Sequence, residues 1–225
     1  EVCCCRCQAA WRLLRKVFCI MAITYPLTLP THVTPRTVEL TAVNAVAYSM
    51  SPFTFSGQAH AYAGQMWQVD VTLPQMRRED ANIWIAWLVS LKGQTGRFLI
   101  GDPTCTAPQG SANTSLGTPV ITDQTGETID VTGAAASQTD WLVAGDYIQI
   151  GAASSATLHQ VLQNASTDAS GNVTLEVWPG VRGTRSGSIT VDNPVGNFRL
   201  ASNQQSWNVS EASTYGITFG AMEAI

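Results

Sequence analysis

Between Trp67 and Asp102 the hydrophobic period changes twice, and that change constrains the fold more than any other part of the chain. In Trp67-Gln68-Val69-Asp70-Val71-Thr72-Leu73 apolar and polar residues alternate without a break, the pattern of a strand buried on one face. Pro74 ends it. From Arg78 to Lys92 the spacing becomes helical, with Ile83, Trp84, Trp87, Leu88 and Leu91 on one stripe. Glu79 and Asp80 in the first turn, Lys92 in the last and Gly93 just beyond suit the helix dipole and a left-handed C-terminal cap. A second strand follows at Arg97-Phe98-Leu99-Ile100, closed by Gly101-Asp102-Pro103. Burying one large apolar side chain contributes roughly 1.5 to 3 kcal/mol, so such a stripe places the helix against a sheet. Both tryptophans accordingly read as core rather than as ligand-stacking residues.

The rest of the chain reads as β-structure. Thr37 to Val43 alternates, with Val38, Leu40 and Ala42 on one face, whereas Tyr48 to Tyr62 has no clean period and reads as short strands and a loop. Ala107 to Pro119 has the composition of a linker. Short strands are expected near Thr128 to Val131, Tyr147 to Ile150, Leu158 to Leu162, Val173 to Trp178 and Ser188 to Val191, with Asp168-Ala169-Ser170-Gly171-Asn172 as turn residues. Phe198-Arg199-Leu200 and Trp207-Asn208-Val209 follow, then a last strand in which Tyr215, Ile217 and Phe219 alternate with small residues. An apolar terminal strand needs a sheet to join, because an open edge invites aggregation. The expected organisation is a discontinuous domain, residues 21–106 plus 193–225, carrying an inserted small β-barrel, residues 107–192.

Composition excludes several classes of function. The longest apolar runs, Val17 to Ile23 and Ile83 to Val89, are seven residues each, against the roughly 20 that a membrane-spanning helix needs. Five of the six cysteines (Cys3, Cys4, Cys5, Cys7 and Cys19) fall in the first 20 residues, with no second pair or nearby histidine to complete a zinc site. The chain opens on Glu1, and composition changes at Met21, so residues 1–20 are expected to be translation upstream of the true start. Arg15-Lys16-Val17 is codable by a purine run resembling a ribosome-binding site. A signal peptide is the rival reading, since Arg12, Arg15 and Lys16 precede an apolar run, but that run lacks a small-x-small cleavage site. Residues 1–20 hold four of the twelve basic residues and one of the sixteen acids, so residues 21–225 carry a formal charge of −7. In that part only Arg77 and Arg78 stand together as a basic pair, which speaks against sequence-specific nucleic-acid binding and leaves the pair as candidate partner contacts.

Catalytic motifs are missing. Cys105 with His32, His60 or His159 could be written as a thiol hydrolase, but Cys105 lies in a Pro-rich turn rather than at a helix N-terminus that would lower its pKa. Glu79-Asp80 is better explained by the helix dipole than by glycoside hydrolysis. Gly93 to Gly96 and Gly180 to Gly183 lack the lysine and spacing of a phosphate loop. No catalytic, cofactor or metal residue is assigned, and no enzymatic activity is expected.

Met21 to Leu27, Ser51-Pro52-Phe53-Thr54, Gln65 to Val69, Leu73-Pro74-Gln75-Met76-Arg77-Arg78, Gly101-Asp102-Pro103 and the ending Tyr215 to Ile225 together resemble minor tail proteins of long-tailed bacteriophages and prophages. They are similar to the distal tail proteins. The resemblance spans nearly all of residues 21–225 and rests on packing residues. It implies a mainly β fold, a tail-tube-like β-sandwich with one flanking α-helix and an inserted β-domain. It also implies a virion location at the tail tip. There the chain would form a ring, usually hexameric, joining the tail tube to the distal hub or receptor-binding apparatus, with tube, tape-measure and hub proteins as partners. A net-acidic lumen would repel passing DNA, and Glu39, Asp70, Glu79 and Asp80 are candidate lining residues. Arg77 and Arg78 are candidate ring contacts. The alternative is carbohydrate or receptor recognition by the insertion, through Trp141, Tyr147, Trp178, Asp140 and Asp146.

Overall fold

The computed structural model describes residues 23–211 and 213–225, and the leader expected at residues 1–20 lies outside them. The fold is mainly β, with two sheets and one α-helix among the described residues.

One sheet has seven strands. Its path runs β1 (Leu27–Thr28), β4 (Phe98–Ile100), β9 (Gly196–Leu200), β11 (Tyr215–Glu223), β3 (Gly57–Thr72) and β2 (Thr37–Met50), and β10 (Trp207–Val209) also pairs with β11. The β1–β4 pair is parallel and the others are antiparallel. Alternation along β3 and β11 sends Trp67, Val69, Val71, Ile217, Phe219 and Ala221 to one face, where all are buried. α1 (Arg78–Ser90) lies on that face, with Trp84 6.3 Å from Phe219 and Trp87 5.1 Å from Phe98 between ring centroids. The Trp87 indole N–H donates to the Thr28 carbonyl at 2.9 Å, and the Tyr25 hydroxyl donates to the Ser90 carbonyl at 2.6 Å, tying the chain's approach to β1 to the helix.

The buried stripe of α1 differs from the sequence expectation at one position. Trp84, Leu88 and Leu91 are fully buried and Trp87 is half-buried, but Ile83 is 40% exposed, and Ala81 takes its place in the core. At about 100° per residue, Ala81, Trp84, Leu88 and Leu91 cluster, Ile85 and Trp87 flank them, and Ile83 falls beyond the Trp87 flank. After Leu91 the chain turns through left-handed Lys92 and Gly93, where a Cβ on Gly93 would stand 2.7 Å from Asn203 Oδ1.

The other sheet has four strands: β5 (Gly117–Ala134), β6 (Tyr147–Ile150), β7 (Thr157–Val161) and β8 (Val173–Thr190). Three register irregularities between Ile121 and Thr128 bend the long β5–β8 pair. β8 pairs with β7 at Val177 and Trp178, and with β6 at Ile189 and Thr190, so it passes along both strands of the β6–β7 hairpin. Its core holds Ile129, Val131, Trp141, Leu142, Ile148 and Leu175.

Three local expectations are corrected. The strands expected at Val173 to Trp178 and Ser188 to Val191 are one long strand, ending at Thr190 and continued through a Gly-rich middle by pairing with β5. Ala107 to Pro119 is packed rather than loose: Ser111 and Ala112 donate backbone N–H groups to the Asp140 and Trp141 carbonyls, and a Cβ on Gly110 would sit 2.3 Å from the Trp141 oxygen. Tyr48 to Tyr62 is neither broken strands nor an open loop, because β2 and β3 run through it as one hairpin turning at Ser51–Ser56.

Candidate functional site

The β2–β3 ribbon is the most unusual surface of the molecule. Its root, Thr37 to Asn44 paired with Gln65 to Thr72, is part of the seven-stranded sheet. Beyond Asn44 the register shifts by two residues, the extra chain lying at Tyr62, Ala63 and Gly64. The outer arm then pairs Val46–Met50 with Gly57–Ala61, and every residue of it is exposed. Val46, Tyr48, Met50 and Tyr62 point to water, and at the turn Phe53 is 92% and Phe55 74% exposed. The turn is nonetheless ordered. The Phe55 N–H donates to the Ser51 carbonyl at 3.0 Å, the Thr54 and Ser56 hydroxyls share a 2.8 Å hydrogen bond, and Phe55 is held at a φ of 54°. The Tyr48 ring lies so close to Gly57 that a Cβ there would stand 2.2 Å from its hydroxyl.

β2 is also an edge of the sheet. An edge strand of fourteen residues, with one charged side chain, Glu39, and no proline, has few of the devices that normally stop edge-to-edge pairing, the register shift after Asn44 being one of them.

The sheet face opposite α1 is polar. Glu39 and Asp70 are direct cross-strand partners on that face, and the Asp70 carboxylate lies over Gly220 of β11, 2.9 Å from where a Cβ would be. Two like charges placed opposite each other reduce the stability of a sheet. Glu79 and Asp80 are on α1, on the other side of the sheet, so the four candidate lining acids do not share one surface. Arg77 and Arg78 are exposed at the head of α1 and form no ion pair among the described residues.

Where the ribbon root meets the four-stranded sheet, polar groups lock the two together. The Trp67 indole N–H donates to the Leu158 carbonyl at 3.1 Å, the Trp178 indole N–H to Asn44 Oδ1 at 2.8 Å, and the Gly180 N–H to Gln65 Oε1 at 2.7 Å. Arg182 donates to the Gln65 carbonyl and pairs with buried Glu223 at 2.9 Å, the one ion pair among the described residues. His159 is buried beside them. Its Nδ1–H donates to the Pro179 carbonyl at 2.6 Å and Nε2 meets the Thr157 hydroxyl at 2.9 Å. Burial holds its pKa below the ordinary histidine value, against the opposing pull of the Pro179 carbonyl and Glu223.

The residues expected to touch a glycan are not brought together. Trp141 is fully buried in the four-stranded core, where its N–H donates to the Ser115 carbonyl at 3.2 Å. Asp146 is buried and its two carboxylate oxygens each accept a backbone N–H, from Gln109 and Val143 at 2.9 Å. Tyr147 and Trp178 pack instead against Trp67, at 6.0 and 4.5 Å between centroids. Burial, with the Asp102 carboxylate, pushes the Tyr147 phenol up to about 12. Of the five, only Asp140 is exposed.

Cys105 faces a carboxylate. Its thiol donates to Asp102 Oδ2 at 3.5 Å, and burial together with the Asp102 charge pushes its pKa up, away from thiolate. His60 stacks edge-on against Tyr62 at 4.8 Å, and both ring nitrogens of His159 are engaged as described. Among the described residues no three His, Cys, Asp or Glu side chains converge to hold a metal ion, and no helix is long and apolar enough to cross a membrane. No family model matches the chain, and no curated protein matches it.

Proposed function

We propose that this chain is a structural ring component of the tail tip of a long-tailed bacteriophage, joining the tail tube to the distal hub. The observation that carries the reading is the outer arm of the β2–β3 ribbon, exposed on both faces with Val46, Tyr48, Met50, Phe53, Phe55 and Tyr62 in water. An isolated two-stranded ribbon is marginal in water, and an exposed aromatic patch of this kind marks a surface that another protein covers. The residues that resemble distal tail proteins include Ser51 to Thr54 in the turn of this arm and Gln65 to Val69 at its root.

In this reading residues 21–106 and 193–225 form the tail-tube-like β-sandwich, with α1 as its flanking helix, and residues 107–192 are a barrel-like decoration. The polar face with Glu39 opposite Asp70 lines the lumen, where repeated acids repel DNA, and that role accounts for a like-charge pair the isolated subunit does not need. The chain would bind copies of itself, the tube protein, the tape measure and the hub, and do no chemistry. Mass photometry and negative-stain microscopy of the full chain test this. Closed rings of a single order are expected, and a protein that stays monomeric at every concentration and ionic strength contradicts it.

A further inference from the structure

At the root of the arm, beside the extra residues, a solvent-open cavity of about 360 Å³ lies between the ribbon, Arg182 and Ile225. Its walls are Val43, Ala45, Ala63 and Met66, with Arg182 and Ile225 on the rim, and its surface is overwhelmingly apolar. The volume lies within the range that encloses ligand-sized groups, roughly 300 to 1,000 Å³. Small side chains on the floor leave room for a ring, and the Arg182 guanidinium at the rim can lie over an aromatic face. The socket is preformed, because Arg182 is fixed by Glu223 and the Gln65 carbonyl, and Asn44 by Trp178.

We propose that this socket receives Phe53 of a second copy of the chain. The proposal rests on the ring reading above and names the contact that builds the ring. Phe53 is the most exposed large apolar side chain of the described residues, and it is presented on a turn that hydrogen bonds hold in shape. It does not reach the socket of its own chain, since five paired residues, Val46–Met50, set the turn roughly 15 to 20 Å away from the cavity. Knob and hole are therefore on one molecule but out of reach of each other. A contact between two different patches is heterologous, and its repetition closes into a ring or runs on as a filament.

The test uses the full chain in three forms, followed by mass photometry and sedimentation, with circular dichroism to confirm folding. Phe53→Ser removes the knob at a position that contributes nothing to the monomer's core. Ala63→Trp fills the hole, and Ile225→Asp charges its rim at a site that is 71% exposed, so a folding defect in the first socket variant leaves the second to decide. Each single variant is expected to lose the high-mass species. An equimolar mixture of Phe53→Ser with either socket variant is expected to give dimers and nothing larger, since one intact knob then meets one intact hole. Variants that assemble like the wild type, or a mixture that stays monomeric, overturn the docking while leaving ring formation intact. A wild-type chain that never assembles overturns both.

Discussion

The two halves of the β2–β3 ribbon share a backbone and live in opposite environments. At the root, Leu40, Trp67, Val69 and Val71 turn one face into a core closed by α1, Phe98, Phe198 and Phe219. In the arm the same two strands continue with apolar and aromatic residues but with nothing packed on either face. The root is where folding free energy is gained, and the arm is where the molecule accepts an unburied surface that only a neighbour can cover. Substitutions in the two halves should therefore separate stability from assembly.

The largest effect is expected under the helix. Trp84→Ala should destabilise the fold by about 3–5 kcal/mol in urea denaturation, because a fully buried indole leaves a cavity. Trp84→Phe should cost less than about 1.5 kcal/mol, since the buried indole N–H has no hydrogen-bond partner to lose. A Trp84→Phe loss well above that would mean that the N–H is satisfied in solution. Trp87→Ala, at a half-buried position, should fall between them.

A middle-sized effect is expected where the two sheets meet. Arg182→Met removes the partner of buried Glu223 and should cost about 1–3 kcal/mol, reduced from the fully buried case because the guanidinium is partly in water. Glu223→Gln in the same background should recover part of the loss, as a double-mutant cycle would report.

Protonation of His159 should act in the same place. Its folded pKa is depressed by burial, so the unfolded chain binds the proton more readily. Stability from this group is present in full above its unfolded pKa of about 6.5 and is lost as pH falls toward the lowered folded value, with a slope of at most about 1.4 kcal/mol per pH unit. Glu223 opposes that shift, and Arg182 and Arg185 reinforce it. Unfolding midpoints measured from pH 5 to 8 should lose this slope in His159→Gln, and an unchanged slope would assign it to other groups.

The smallest effect on stability is expected in the arm. Tyr48→Thr should change the monomer by no more than about 0.5 kcal/mol while weakening assembly. A large loss of monomer stability would instead place the arm in the folded core.

Much of the root was legible because burial on one face writes itself into the sequence. The alternation from Trp67 to Leu73 and from Tyr215 to Phe219 marks strands that do pair, and the helical spacing around Trp84 and Leu88 marks their cover. The arm was less legible. Val46, Tyr48 and Met50 still alternate with Ala47 and Ser49, but Pro52, Gly57 and the Ser- and Phe-rich stretch between them carry turn composition, so a long hairpin reads as fragments. β8 was split because Gly180, Gly183 and Gly187 resemble turn residues, although cross-strand pairing with β5 carries the strand through them. Trp141 and Asp146 stand open in the sequence to a glycan role beside a core role, because an aromatic next to an acid, as in Asp140-Trp141 and Asp146-Tyr147, looks the same whether it faces a sugar or lies in a buried turn. Backbone N–H groups that saturate a carboxylate leave no trace in composition. The socket depends on a register shift of two residues, which only the pairing reveals.

Hydrogen exchange of the arm as a function of protein concentration tests the division between root and arm most directly. Amides of Val46–Met50 and Gly57–Tyr62 should exchange rapidly in the dilute monomer and become protected as particles form, while those of Trp67 to Val71 stay protected throughout. Particles that form while the arm amides keep exchanging at the monomer rate would contradict it.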